Sequence, residues 1–205
     1  MDKEHKETIR PVFWFDKDGV LAKYDYSIYL AETGSSPPWL TKNAHVYRHL
    51  PANKNMLHAF RELYGRLQEK PPCEWEYEMK VLTSVSDSVT LSEQVLDSWH
   101  WLHKKIPEFK QRDFYAVAVP KQELPVTLRR YNSAENGLTK ADILIDDYNK
   151  NLEAWEKAGG TAVKALNGIN SENKKFYNMD ITKKKEDILE TILQIRKTIA
   201  AGNLL

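Results

Sequence analysis

Short apolar runs alternate with stretches of helical period along the chain. Val12–Phe15, Lys80–Thr83, Phe114–Val119, Ile143–Ile145 and Thr161–Ala165 have strand length and suit buried sheet positions. After the first run, Met56, Leu57, Phe60, Leu63, Tyr64 and Leu67 recur at helical spacing until Pro71-Pro72 stops the pattern. Leu91, Val95, Leu96, Trp99 and Leu102 predict a second helix, and Leu152 and Trp155 a third, ended by Gly159-Gly160. A last stripe, Ile188, Ile192, Ile195 and Ile199, predicts a helix over 182–200. Such stripes are core faces by default. Strands alternating with helices predict an α/β fold: a parallel, Rossmann-like sheet between helical layers.

The segment 22–50 breaks this alternation. It carries Tyr24, Tyr26, Tyr29, Trp39 and Tyr47 and is interrupted by Gly34-Ser35-Ser36-Pro37-Pro38. It reads as a small, mostly helical cap inserted into a single domain spanning 1–205, hanging over the end of the first strand.

Composition narrows the partners. With 205 residues, 41% hydrophobic and 29% charged, the chain suits one sizeable core. A formal net charge of +1 offers no field for a phosphate polymer or an anionic membrane, so no nucleic-acid polymer and no membrane are expected. No run approaches the ~18 apolar residues of a membrane span. A single cysteine, Cys73, and a charged beginning without a following apolar run predict a cytoplasmic protein.

The chemistry gathers at the strand ends. Val12-Phe13-Trp14-Phe15 runs into Asp16-Lys17-Asp18-Gly19, the second strand ends on Thr83-Ser84, and Ile143-Leu144-Ile145 runs into Asp146-Asp147. In a parallel sheet, ligands bind beyond the carboxyl ends of the strands. Four converging acids repel one another unless a cation neutralises them, and an all-oxygen donor set suits a hard divalent ion, Mg²⁺ above all when a phosphate completes the shell. Either acidic pair alone could equally cap a helix; both together after strands point to a site.

In this order the three motifs resemble the haloacid dehalogenase-like (HAD) superfamily of phosphatases, over most of residues 11–170. The stretch Leu144–Leu152, with Trp155 downstream, and Asn167-Gly168-Ile169-Asn170 are similar to the 5'(3')-deoxyribonucleotidases and their bacterial relatives. The resemblance implies that Asp16 attacks phosphorus, forming an aspartyl-phosphate, while Asp18 protonates the leaving alcohol and later deprotonates water. It implies that Mg²⁺ is held by Asp16, the Asp18 backbone carbonyl and the Asp146-Asp147 pair, with Asp147 as the direct ligand by analogy. Thr83 and Ser84 then bind phosphate together with a lysine. Lys121 follows its strand and emerges at the catalytic edge; Lys140 precedes the next strand, and six extended residues place it roughly 20 Å away. Asp18 favours phosphoryl transfer over carbon–halogen cleavage, which has no alcohol to protonate. Trp39 and Tyr47 of the cap are candidates for stacking on a base or sugar, and the implied substrate is a small phosphate ester, a nucleoside monophosphate first. A phosphomutase, or a non-catalytic nucleotide- or phosphate-binding regulator on the same fold, are the alternatives.

Overall fold

The computed structural model describes residues 10–24, 46–85, 91–125 and 137–202. Six parallel strands form one sheet: β1 Val12–Phe15, β2 Glu78–Ser84, β3 Phe114–Val117, β4 Asp142–Asp146, β5 Thr161–Leu166 and β6 Tyr177–Asp180, in the order β3-β2-β1-β4-β5-β6. Five helices are described: α1 Val46–His49, α2 Lys54–Gln68, α3 Leu91–Lys105, α4 Asn149–Lys157 and α5 Lys185–Ala200.

The apolar strands are continuous runs because both sheet faces are covered. Phe13, Phe15, Val81, Ile143, Ile145, Val163 and Ala165 point into the larger core, shared with Met56, Phe60, Leu63 and Tyr64 of α2, Trp101 and Leu102 of α3, and Ile188, Ile192 and Ile195 of α5. The intervening residues Trp14, Leu82, Leu144 and Ala162 turn the other way and pack on Leu152 and Trp155 of α4. Phe60 meets Phe15 edge to face with ring centres 5.0 Å apart, and Trp155 meets Trp14 at 6.2 Å. Such pairs add about 1 kcal/mol beyond burial. The layers are therefore helix, sheet, helix.

Two expectations differ from what is found. The edge strand β6 was not expected from sequence: in Tyr-Asn-Met-Asp only Met179 is buried, so no apolar run marks it. The second helix also buries a different face. Leu96 is 49% exposed, whereas Gln94, Asp97, Ser98 and Trp101 are buried. This helix faces α1 as well as the core, and Asp97 accepts an ion pair from Arg48 of α1 at 2.8 Å. Of the expected cap, residues 25–45 lie outside the described residues; its two ends are described, and Ala22 pairs with Ala52 in an antiparallel bridge.

Candidate active site

The register places Phe15 of β1 beside Val81 of β2 and Ile145 of β4, so Asp16 and Asp146 leave the sheet at the same level. Here the strand order reverses: the chain passes from β1 to β2 on one side and from β4 to β5 on the other. The connections part at this point and leave a crevice. One carboxylate oxygen from each of Asp16, Asp146 and Asp147 lies within 4.8 Å of the others, so the three could hold a metal ion.

The turn after Asp16 is tightly specified. Asp16 Oδ1 accepts the Lys17 N–H at 2.7 Å, and the Lys17 carbonyl accepts the N–H groups of Leu21 and Ala22 at 3.0 and 2.7 Å. Gly19 has φ +90°, and a Cβ there would stand 2.3 Å from the Asp147 carboxylate. Only glycine serves both the backbone and the neighbour. Asn53 Nδ2 secures the turn from the far end of the insertion, donating to the carbonyls of Val20 at 2.8 Å and of Gly19 and Ala22 at 3.3 Å.

Three buried lysines attend the acids. Lys121, 1% exposed, places its ammonium 2.9 Å from Asp16 Oδ1 and 2.8 Å from Asp146 Oδ2. Lys17 donates to Asp18 Oδ1, and Lys164 of β5 to the Asp147 carbonyl. Lys140 stands at the other end of β4, donating to the Gly160 carbonyl at 3.4 Å.

The two neighbouring acids differ in their partners. Asp146 accepts from Lys121, from the Tyr148 N–H at 2.8 Å and from Asn151 Nδ2 at 2.9 Å. Asp147 accepts from Asn167 Nδ2 at 3.0 Å, and the same amide reaches the Gly19 carbonyl at 3.2 Å. Asn170 Nδ2 donates to the carbonyls of Ala165 at 2.8 Å and Asp147 at 3.3 Å, fixing the loop.

Burial pushes the Asp16 carboxyl well above the usual carboxylate range; Lys121 opposes the shift, and Asp146, Asp18 and Asp147 add to it. Burial, reinforced by Asp146, likewise raises Asp147 to about 7 against Lys164 and Lys121. Burial would lower Lys121, but Asp146 and Asp16 outweigh it and hold the ammonium above the ordinary lysine value. Lys164 is lowered by burial despite Asp147 and Asp146. A divalent cation within the triangle reverses the direction for both aspartates, because it favours their charged forms. The donors fit such an ion: all are oxygens, as Mg²⁺ requires.

Of the residues expected from sequence, Asp16, Asp18, Thr83, Lys121, Asp146 and Asp147 come together. Thr83, 1% exposed, donates its hydroxyl to Asp18 Oδ2 at 3.4 Å. Ser84, next along β2, is exposed. Tyr47 of α1 packs against the larger core; Trp39 lies outside the described residues. Sequence reasoning passed over Lys17, Asn53, Asn151 and Lys164. Only Lys164 left a signal, a charge inside the apolar run Thr-Ala-Val-Lys-Ala-Leu.

No family model and no curated protein matches this chain. Solved structures do. The fold matches that of solved structures described as HAD-like or HAD-superfamily hydrolases. D,D-heptose 1,7-bisphosphate phosphatase from B. bronchiseptica, complexed with magnesium and phosphate, is 13% identical, with 90% of this chain and 98% of that one covered at a TM-score of 0.55. A HAD-superfamily hydrolase from Ehrlichia chaffeensis is 13% identical over 91% of this chain and 98% of its own, TM-score 0.53. A putative HAD-like phosphatase from Mesorhizobium loti is 11% identical over 96% and 91%, TM-score 0.51. At these identities the likeness establishes architecture, while activity has to be argued from the crevice itself.

Proposed function

We propose that this protein is a Mg²⁺-dependent phosphomonoesterase working through an aspartyl-phosphate. The observation that carries it is the triangle of Asp16, Asp146 and Asp147 with the buried Lys121 ammonium bonded to two of its corners.

Among the described residues, Lys121 and the Lys17 N–H both bond to the Oδ1 of Asp16, and Oδ2 is the oxygen proposed to attack phosphorus. Asp18 protonates the departing alcohol oxygen as the phosphorus–oxygen bond breaks, then takes a proton from the water that hydrolyses the intermediate. Thr83 and Ser84, with neighbouring N–H groups, hold phosphate oxygens, and Lys121 offsets the charge that builds in transfer. Mg²⁺, held by Asp16, the Asp18 carbonyl and Asp147 with Asp146 in support, would supply charge neutralisation between nucleophile and phosphate. The partners of Asp146 support its secondary role: two side-chain donors and one N–H already occupy it.

The substrate proposed is a small phosphate ester, a nucleoside monophosphate first, with Tyr47 and Trp39 on the cap side. One structural relative, the D,D-heptose 1,7-bisphosphate phosphatase, is named for a sugar bisphosphate instead. Release of nitrophenol from para-nitrophenyl phosphate, dependent on added Mg²⁺, tests the class; background rates with and without metal would leave a binding protein. A panel of ribo- and deoxyribonucleoside 5'- and 3'-monophosphates and sugar phosphates then orders substrates by kcat/KM. Preference for the sugar phosphates would sink the nucleotidase reading and keep the phosphatase one.

A further inference from the structure

We infer that Lys17 is a positioning residue that fixes Asp18 for proton delivery; the inference rests on the phosphatase reading above. Lys17 separates two acids in the sequence, where a solvated charge is expected, yet its side chain is 0% exposed. Burying an ammonium is costly unless it finds partners. Its partners are Asp18 Oδ1, the ring of Tyr47 at 5.3 Å and the ring of Trp101 at 5.6 Å. A desolvated cation against two aromatic faces is attracted by the quadrupoles of both rings. The cradle is itself fixed: Trp101 is 1% exposed, and its Nε1 donates to the Leu50 carbonyl at 2.7 Å.

The direction of this contact matters for chemistry. Lys121 attends Asp16 and Asp146, and Lys164 attends the Asp147 carbonyl, so of the three buried lysines it is Lys17 that serves Asp18. With Oδ1 taken by Lys17, Oδ2 is turned toward the Thr83 hydroxyl, 3.4 Å away. That is the direction in which phosphate oxygens are proposed to lie. A proton donor works only within hydrogen-bond reach of its acceptor, and the Asp18 side chain, 15% exposed, would otherwise turn toward water. The proton comes from Asp18, which gives it to the ester oxygen as that oxygen leaves phosphorus and Asp16 bonds to it.

The test compares two esters in the Mg²⁺-loaded protein: para-nitrophenyl phosphate, whose phenolate leaves without a proton, and ethyl phosphate, whose alkoxide needs one. Because kcat/KM ends with departure of the alcohol, the ethyl-to-aryl ratio of kcat/KM isolates that proton. The ratio is also blind to how much of a preparation is folded. In Lys17→Met it should fall by roughly 10- to 100-fold, part of the 10² to 10⁴ a general acid supplies. A ratio within about threefold of wild type, whatever the absolute rates, would overturn the assignment. If Lys17→Met cannot be isolated folded, Tyr47→Leu carries the same test by removing one wall of the cradle. A smaller fall there supports the inference; an unchanged ratio overturns it, as does a raised one, which would mean that the ring touches the aryl group instead. A wild-type protein inactive on both esters removes the phosphatase reading and this inference together, whereas an active one with an unmoved ratio removes only the role of Lys17.

Discussion

On the β4–β5 flank of the crevice, Asp146 is fully buried and Asp147 partly buried, and lysines and asparagine amides hold them in place. On the β2 flank, Asp18 is 15% exposed and faces a hydroxyl on one side and an ammonium between two aromatic rings on the other. The closed flank concentrates charge in a low dielectric, which suits the binding of a cation and the fixing of phosphate. The open flank keeps one carboxyl near solvent, where under the proposed mechanism alcohol would depart and water arrive. Asp16, at the end of β1, belongs to both, so under the proposed mechanism neighbouring residues of one turn would serve different steps.

Asp16→Asn removes the group common to both flanks and should reduce turnover to background while leaving thermal unfolding unchanged, since the side chain keeps its size. Turnover within tenfold of wild type would refute the nucleophile. Asp18→Asn strikes the open flank alone: kcat on a nucleotide should drop about 10²- to 10⁴-fold, with phosphate binding retained by calorimetry. Lys121→Met strikes the closed flank and should cost roughly 10²- to 10³-fold in kcat/KM, as for one oxyanion donor, whereas Lys140→Met at the opposite end of β4 should change it by about twofold or less. A severe Lys140→Met defect beside a near-normal Lys121→Met would reverse the two assignments. Asp147→Asn should raise the Mg²⁺ concentration for half-activity, by about 10- to 100-fold, more than Asp146→Asn does; the opposite ranking exchanges their roles.

The smallest effect is graded with pH. In the metal-free protein, Asp147 titrates near 7 against an ordinary value of 3.8. Between those values the unfolded chain has lost the proton and the folded one keeps it, so metal-free stability should decline as pH rises from about 4 to 7. Mg²⁺ displaces that proton, so its stabilising shift in Tm should grow over the same interval. A Tm shift independent of pH between 5 and 8 would place the ion away from Asp147.

How much of this was legible differs along the same lines. Strands β1 and β4 announced themselves because both sheet faces bury them, and the acids at their ends stood out against the apolar runs. The position of Lys121 followed from strand direction alone. What escaped was polar burial. Gln94, Asp97 and Ser98 line a buried helix face that a hydrophobic stripe cannot reveal, and Asp97 there is matched by Arg48 of α1. Lys17 escaped for a related reason: a lysine between two aspartates looks solvated until distant Tyr47 and Trp101 are known to enclose it. Asn53 acts through an amide whose targets lie far along the chain, and no local pattern marks it; Asn151 and Asn167 lie in the stretches that carry the nucleotidase resemblance, but their hydrogen bonds to Asp146 and Asp147 do not show there.

The junction of the insertion has a consequence of its own. Lys23 N–H donates to the Pro51 carbonyl at 2.7 Å and Asn53 N–H to the Leu21 carbonyl at 2.9 Å, across the Ala22–Ala52 bridge. Both ends of the inserted segment are thus riveted together beside the turn that carries Asp16 and Asp18. Closing a loop on such a clamp depends weakly on its length, each doubling costing only about 0.6 kcal/mol. Provided α1 with Tyr47 and the Leu50 carbonyl are kept, the rest of what lies between the rivets is therefore an interchangeable part: under the proposed function a graft of different size or sequence there should alter which esters reach Asp16 while the turn that carries Asp16 and Asp18 keeps its shape.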